Sequence, residues 1–137
     1  MGGGLAGSNA RRAFRMTTIA VVEDNADNRL LLQALLGDRY ELVEFDNGVD
    51  ALEGLSVSLP DLVLLDISLP GMDGNEILAR IRGDVRLRPL PVIALTAHAM
   101  SGDREKYLAA GFNDYITKPI VDEAVLIEAI EHWLDER

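Results

Sequence analysis

The stretch LVLLDISLPGMDG, residues 62–74, sets the architecture of the whole chain. Leu62 to Leu65 are apolar at successive positions, as a strand covered on both faces of a parallel sheet should be, whereas a half-solvated strand would alternate. The run ends on an acid, Asp66, and passes into Pro70, Gly71 and Gly74, residues that favour turns. Asp73 followed by Glu76 has the spacing of a capping box, with Asp in place of Ser or Thr, so a helix is expected to start there. Strand, acid, turn and helix make the first half of a βαβ unit.

The same alternation extends in both directions. Ile19–Val22 and Val92–Leu95 repeat the buried-strand pattern, while Leu42–Phe45 and Tyr115–Thr117 read as two shorter, outer strands. Between them, apolar residues recur three or four apart: Leu31, Leu32, Leu35 and Leu36; Leu52 and Leu55; Ile77, Leu78 and Ile81; Leu126, Ile127, Ile130, Trp133 and Leu134. The stretch from Ala99 to Ala110 fits the fourth helix less well because Gly102 weakens it. Gly37 and Gly111 sit where helices would stop. Five strands alternating with five helices through short crossovers require right-handed βαβ units, hence an α/β fold with a doubly wound parallel sheet. The flavodoxin-like (βα)5 order 2-1-3-4-5 is the economical choice at this size. Ligands then bind beyond the carboxyl ends of the strands, at the switch point between the first and third.

A chain of 137 residues is the size of one domain. Residues 1–15, MGGGLAGSNARRAFR, lack an apolar period and are expected to form a flexible tail, leaving 16–137 as the domain. Met16 opens the first strand segment, so the tail is either an expression remnant or an upstream start, and Arg11, Arg12 and Arg15 read as solvated charges. The absence of cysteine excludes disulfides and thiolate zinc sites and allows a reducing compartment. Apolar runs too short to span a bilayer and the lack of a signal peptide lead to the expectation of a soluble, cytoplasmic protein with no membrane role. Thirteen basic residues against 23 acidic ones give a net charge of −10, which opposes direct binding to nucleic acid.

The strand ends carry the chemistry. The first strand runs into Glu23-Asp24 and the third into Asp66, so three carboxylates converge on the switch point. Like charges this close repel by several kcal/mol at protein-like dielectric unless a cation neutralises them. Oxygen ligands without His or Cys suit Mg2+. Each acid taken singly reads as a solvated loop residue; acids ending both central strands are harder to dismiss. The fourth strand ends in Thr96-Ala97 and the fifth in Lys118-Pro119, adding a hydroxyl and an ammonium to the same rim. A carboxylate nucleophile, a metal, a hydroxyl and a fixed cation are the parts that phosphoryl transfer needs.

With VVEDN at the first strand, LVLLDISLPGMDG at the third, PVIALTAHAM at the fourth and DYITKPI at the fifth, the chain from about residue 17 to 135 resembles a response-regulator receiver (CheY-like) domain. The resemblance implies that Asp66 is the phospho-acceptor and that Asp24, Asp66 and the backbone carbonyl of Ser68 hold Mg2+, for which Mn2+ substitutes, with Glu23 reaching the metal through water. It implies that Thr96, with Ala97 beside it, and Lys118 receive the phosphoryl oxygens, and that the Lys118-Pro119 bond is cis. Tyr115 would turn inward as Thr96 moves, remodelling the face of the fourth helix, fifth strand and fifth helix for a partner. Ser68 and His98 would tune the water attack that resets the switch. Partners implied are a histidine kinase or a histidine phosphotransfer protein and a downstream protein effector, with the receiver a monomer or a phosphorylation-dependent homodimer. In that reading the chain is not an enzyme acting on others, although it catalyses its own phosphorylation and dephosphorylation.

Other readings compete. As a metal ligand or phosphohistidine, His98 lacks a second ligand at suitable spacing; His132 beside Trp133 reads as a surface residue, and Arg82, Arg86 and Arg88 as a solvated loop. An aspartyl-phosphate hydrolase of the haloacid-dehalogenase type needs a second acid two residues past its nucleophile, where this chain has Ser68. A phosphate-independent scaffold would not need the full set of acids, hydroxyl and lysine. Ending at Arg137 soon after the last helix, the chain is expected to carry no DNA-binding output module, and a free-standing regulator is preferred to a receiver excised from a hybrid kinase.

Overall fold

Burial on both faces explains the unbroken apolar runs. In the computed structural model, which describes residues 16–97 and 103–136, every residue of β3 (Leu62–Asp66) and β4 (Val92–Thr96) is buried, and so are the last four of β1 (Thr18–Val22). The outer strands β2 (Glu41–Phe45) and β5 (Asp114–Thr117) are only partly covered, which is why their sequences are mixed. All pairings are parallel and the order is β2-β1-β3-β4-β5. The flavodoxin-like expectation therefore holds, with one edge of each strand coinciding with the expected one and the other moved by one residue.

Helices α1 (Ala26–Leu36), α2 (Gly48–Val57), α3 (Gly74–Gly83), α4 (Asp103–Ala110) and α5 (Glu123–Asp135) alternate with the strands. Alternation of side chains along each strand divides the core in two. Ile19, Val21, Leu62, Leu64, Ile93 and Leu95 face Leu32 and Leu36 of α1 and Leu126, Ile127 and Ile130 of α5. Ala20, Val22, Val63, Leu65 and Ala94 face α2, α3 and α4 through Leu55, Ile77, Ile81 and Tyr107. Short polar side chains start the helices where the strands hand over: Asn25, Asn47, Asp73 and Asp122 each accept hydrogen bonds from backbone amides of the first turn. The spacing of Asp73 and Glu76 works as expected, with Asp73 accepting from the Glu76 amide at 2.9 Å.

Helix ends differ from one another. Gly111 follows α4 at φ +115, a region open to glycine, whereas Gly37 closes α1 in ordinary right-handed geometry. The expected helix from Ala99 begins at Asp103 as far as it can be followed, since residues 98–102 lie outside the described residues, as do the expected flexible tail 1–15 and residue 137.

One expectation is overturned. Arg82 belongs to the last turn of α3, not to a solvated loop, and its partly buried guanidinium donates to the carbonyls of Gly111, Arg88 and Leu90 and to Asn113 Oδ1, at 2.7–3.0 Å. Burial lowers its pKa. Asn113 Oδ1 also accepts from the Val92 amide at 2.8 Å, so the clamp ties α3, the entry to β4 and the turn before β5 together. Arg86 and Arg88 are exposed, but they donate to the carbonyls of Ser56 and Arg82.

Candidate functional site

At the carboxyl end of β1 the chain turns through Glu23, Asp24 and Asn25 before α1 starts. Glu23 is fully buried, its amide bonded to the carbonyl of Phe45 at the end of β2. Three groups fix it: the Asn25 amide donates to Oε2 at 3.2 Å, Asn28 Nδ2 to Oε1 at 3.3 Å, and Arg29 to its carbonyl at 2.8 Å. Asp24, its neighbour, is exposed. This adjacency sends one acid inward and leaves the other on the rim.

Asp66 ends β3 opposite Leu95 of β4 and is 2 % exposed. Its Oδ1 accepts from the Ser68 amide at 2.9 Å, and the loop is closed by Gly74, whose amide donates to the Ile67 carbonyl. A side chain at Gly74 would bring its Cβ to 2.5 Å from the Asp66 carbonyl oxygen, so the helix can start this close to the acid only on glycine. Lys118, brought back by β5, reaches both inner acids: Nζ is 3.0 Å from Asp66 Oδ2 and 3.2 Å from Glu23 Oε1. Its amide bonds to the Thr96 carbonyl at 2.7 Å, and the Lys118-Pro119 bond is cis.

Electrostatics follow from this crowding. Burial raises the pKa of Glu23, a hydrogen bond and the charge of Asp66 raise it further, and the Asn25 amide and Lys118 only partly oppose them. Burial acts against the ammonium of Lys118, yet Asp66 and Glu23 outweigh it and raise its pKa. Carboxylate oxygens of Glu23, Asp24 and Asp66 lie within 4.8 Å of one another. An all-oxygen donor set of this charge fits a hard divalent cation.

Thr96 is buried at the end of β4, and its hydroxyl makes a 2.8 Å hydrogen bond with that of Tyr107 on α4. The Tyr107 ring packs against Phe112 and Tyr115, with centroids 6.1 and 5.5 Å away. Tyr115 is half-buried, whereas Ala97, Ser68 and Pro119 are exposed on the rim. His98 lies outside the described residues. The structure thus brings Glu23, Asp24, Asp66 and Lys118 together, with Thr96 ending the adjacent strand and Ala97 following it. Sequence reasoning missed Tyr107, Asn28 and Arg29. Asn28 and Arg29 sit five and six residues after Glu23, in the first turn of α1, and that spacing was the available signal.

A family model described as the response regulator receiver domain matches residues 19–131. The chain is 39% identical over 123 residues to the sensor histidine kinase GacS of Pseudomonas protegens, covering 87% of this chain and 13% of that protein. It is 39% identical over 120 residues to the polar-differentiation response regulator DivK of Brucella anthropi, covering 87% of this chain and 97% of that one. Among solved structures, the receiver domain of a sensor histidine kinase from Pseudomonas aeruginosa PAO1, with magnesium coordinated in its active site cleft, has a TM-score of 0.79. It is 36% identical, covering 88% of this chain and 98% of that one. The chain therefore spans a small part of the kinase it matches and nearly all of the response regulator. Together with a parallel sheet whose central strands end in clustered acids, these matches place the chain in the response regulator receiver domain family of two-component signalling.

Proposed function

We propose that this receiver is a switch thrown by phosphorylation of Asp66, and the observation that carries the proposal is Lys118 Nζ lying 3.0 Å from Asp66 Oδ2 and 3.2 Å from Glu23 Oε1. A carboxylate oxygen of Asp66 attacks phosphorus, the bond from phosphorus to a histidine nitrogen of the donor breaks, and its electron pair leaves with that nitrogen. Acetyl phosphate would serve through its phosphorus–oxygen bond. Lys118 holds the acceptor in place and offsets charge that grows on the phosphoryl oxygens. Asp24 and Asp66, with Glu23 beside them, would hold Mg2+ or its substitute Mn2+, which supplies charge neutralisation and polarises the phosphoryl group. Water attack on the acyl phosphate resets Asp66, so the chain catalyses its own modification and its reversal.

Thr96 then turns toward the phosphoryl group, and the change reaches the face of α4, β5 and α5. A groove of about 500 Å3 runs along that face, with Arg104, Tyr115, Lys118, Pro119 and Val125 among its lining. Lys118 therefore touches both the acceptor and the groove. The partners are a histidine kinase or a phosphotransfer protein as donor and a protein effector as receiver of the signal, all on the cytoplasmic side. Similarity to DivK over nearly its whole length supports the free-standing form, while similarity to a segment of GacS supports the form joined to a kinase.

Incubation with acetyl phosphate and Mg2+ is expected to add one phosphoryl group by intact mass, and Asp66→Asn to abolish it. Unchanged labelling of that variant would refute the assignment. Sustained turnover of small phosphomonoesters would favour a hydrolase instead.

A further inference from the structure

Side-chain alternation sets Thr96 apart from Asp66. Asp66 follows Leu62 and Leu64, whose side chains face α1 and α5, by an even number of residues, whereas Thr96 stands in that relation to Val92 and Ala94, which face α2, α3 and α4. The hydroxyl of Thr96 is accordingly bonded on the α4 side, 2.8 Å from the hydroxyl of Tyr107. Tyr107 is 5 % exposed, and its ring stands edge-on to Phe112 at 87° and tilted at 42° to Tyr115. A ring held on two sides keeps its hydroxyl at one point, so the bond is pre-organised.

We infer that Tyr107 is a resting-state latch, a positioning residue whose hydroxyl holds Thr96 on the α4 side and must release it before Thr96 can meet a phosphoryl group on Asp66. The inference rests on the proposed role of Asp66 and adds a residue to it. With Thr96 and Asp66 on opposite faces of their strands, a turn of the Thr96 hydroxyl toward the phosphoryl group exchanges the Tyr107 bond for one to a phosphoryl oxygen. The exchange biases the equilibrium toward the resting form by about fivefold, the worth of one ordinary net hydrogen bond. Release also ends the hydroxyl bond on a ring that packs against Tyr115, which gives the movement of Thr96 a direct route to α4 and β5.

The test is calorimetric titration of the whole chain with beryllofluoride, a phosphoryl mimic, in excess Mg2+. Tyr107→Phe keeps the ring and removes the hydroxyl, and it is expected to bind about fivefold more tightly than the wild type. In a Thr96→Ala background the same change is expected to have no effect, a result that loss of packing alone would not give. Unchanged or weaker binding by Tyr107→Phe overturns the latch; weaker binding would mean that Tyr107 supports Thr96 in the activated form. Failure of the wild type to bind beryllofluoride would instead remove the acceptor site itself, and the latch with it. Independently of any fold change in the variant, the Tyr107 Cζ resonance of the wild-type protein is expected to shift on beryllofluoride binding, and an unmoved resonance overturns the proposal.

Discussion

Glu23 and Asp24 are adjacent in the chain and opposite in circumstance, one fully buried and the other exposed. A carboxyl group whose pKa is raised on folding stabilises the fold at low pH, fully below its ordinary value of 4.5, and loses that contribution as pH rises through the raised value. On the alkaline side of that raised value the metal-free protein buries a charge at a cost. Glu23→Gln is expected to raise the melting temperature of the metal-free protein there by about 3 °C. The gain should vanish as the pH falls below the ordinary carboxylate range, and thermal melts in a chelator across that range would check both. The sequence showed that acids end both central strands, because strand ends are where apolar runs stop. It did not show which acid turns inward, since that depends on the Asn25 amide and Asn28 reaching back to Glu23.

Elements were legible in proportion to how completely they are buried. β1, β3 and β4 stood out as unbroken apolar runs because helices cover both their faces. α4 was weak in the sequence because Tyr107 is the one buried residue among its eight, and a single aromatic makes no period. The hydroxyl bond of Tyr107 to Thr96 is a tertiary contact with no local signature. Arg82 was misread for a related reason. Three of its partners are backbone carbonyls, which every residue carries, so charge patterning could not distinguish a clamp from a solvated loop. Arg82→Ala is expected to cost about 3 kcal/mol in urea denaturation, since it strips charge-assisted donors from several carbonyls at once. Arg82→Lys should recover less than half of that, because one ammonium cannot reach Gly111, Leu90 and Asn113 together.

For the molecule as a whole, a net charge of −10 with three acids clustered at one end makes cation binding a stability term. Mg2+ at a hundredfold over its dissociation constant should add about 2.7 kcal/mol. Melting curves are expected to move upward with Mg2+ well beyond NaCl of equal ionic strength, and Asp24→Asn to remove most of the difference. Among the described residues no helix is long and apolar enough to cross a membrane. The ammonium that faces Asp66 and Glu23 comes from 52 and 95 residues away along the chain. During synthesis Asp66 leaves the ribosome well before Lys118, and until the fifth strand docks, the carboxylates of Glu23 and Asp66 lack the ammonium that faces them in the finished fold. An unfinished copy therefore lacks one of the parts that the proposed phosphoryl transfer needs, and a chain truncated before Lys118 is expected to take no label from acetyl phosphate.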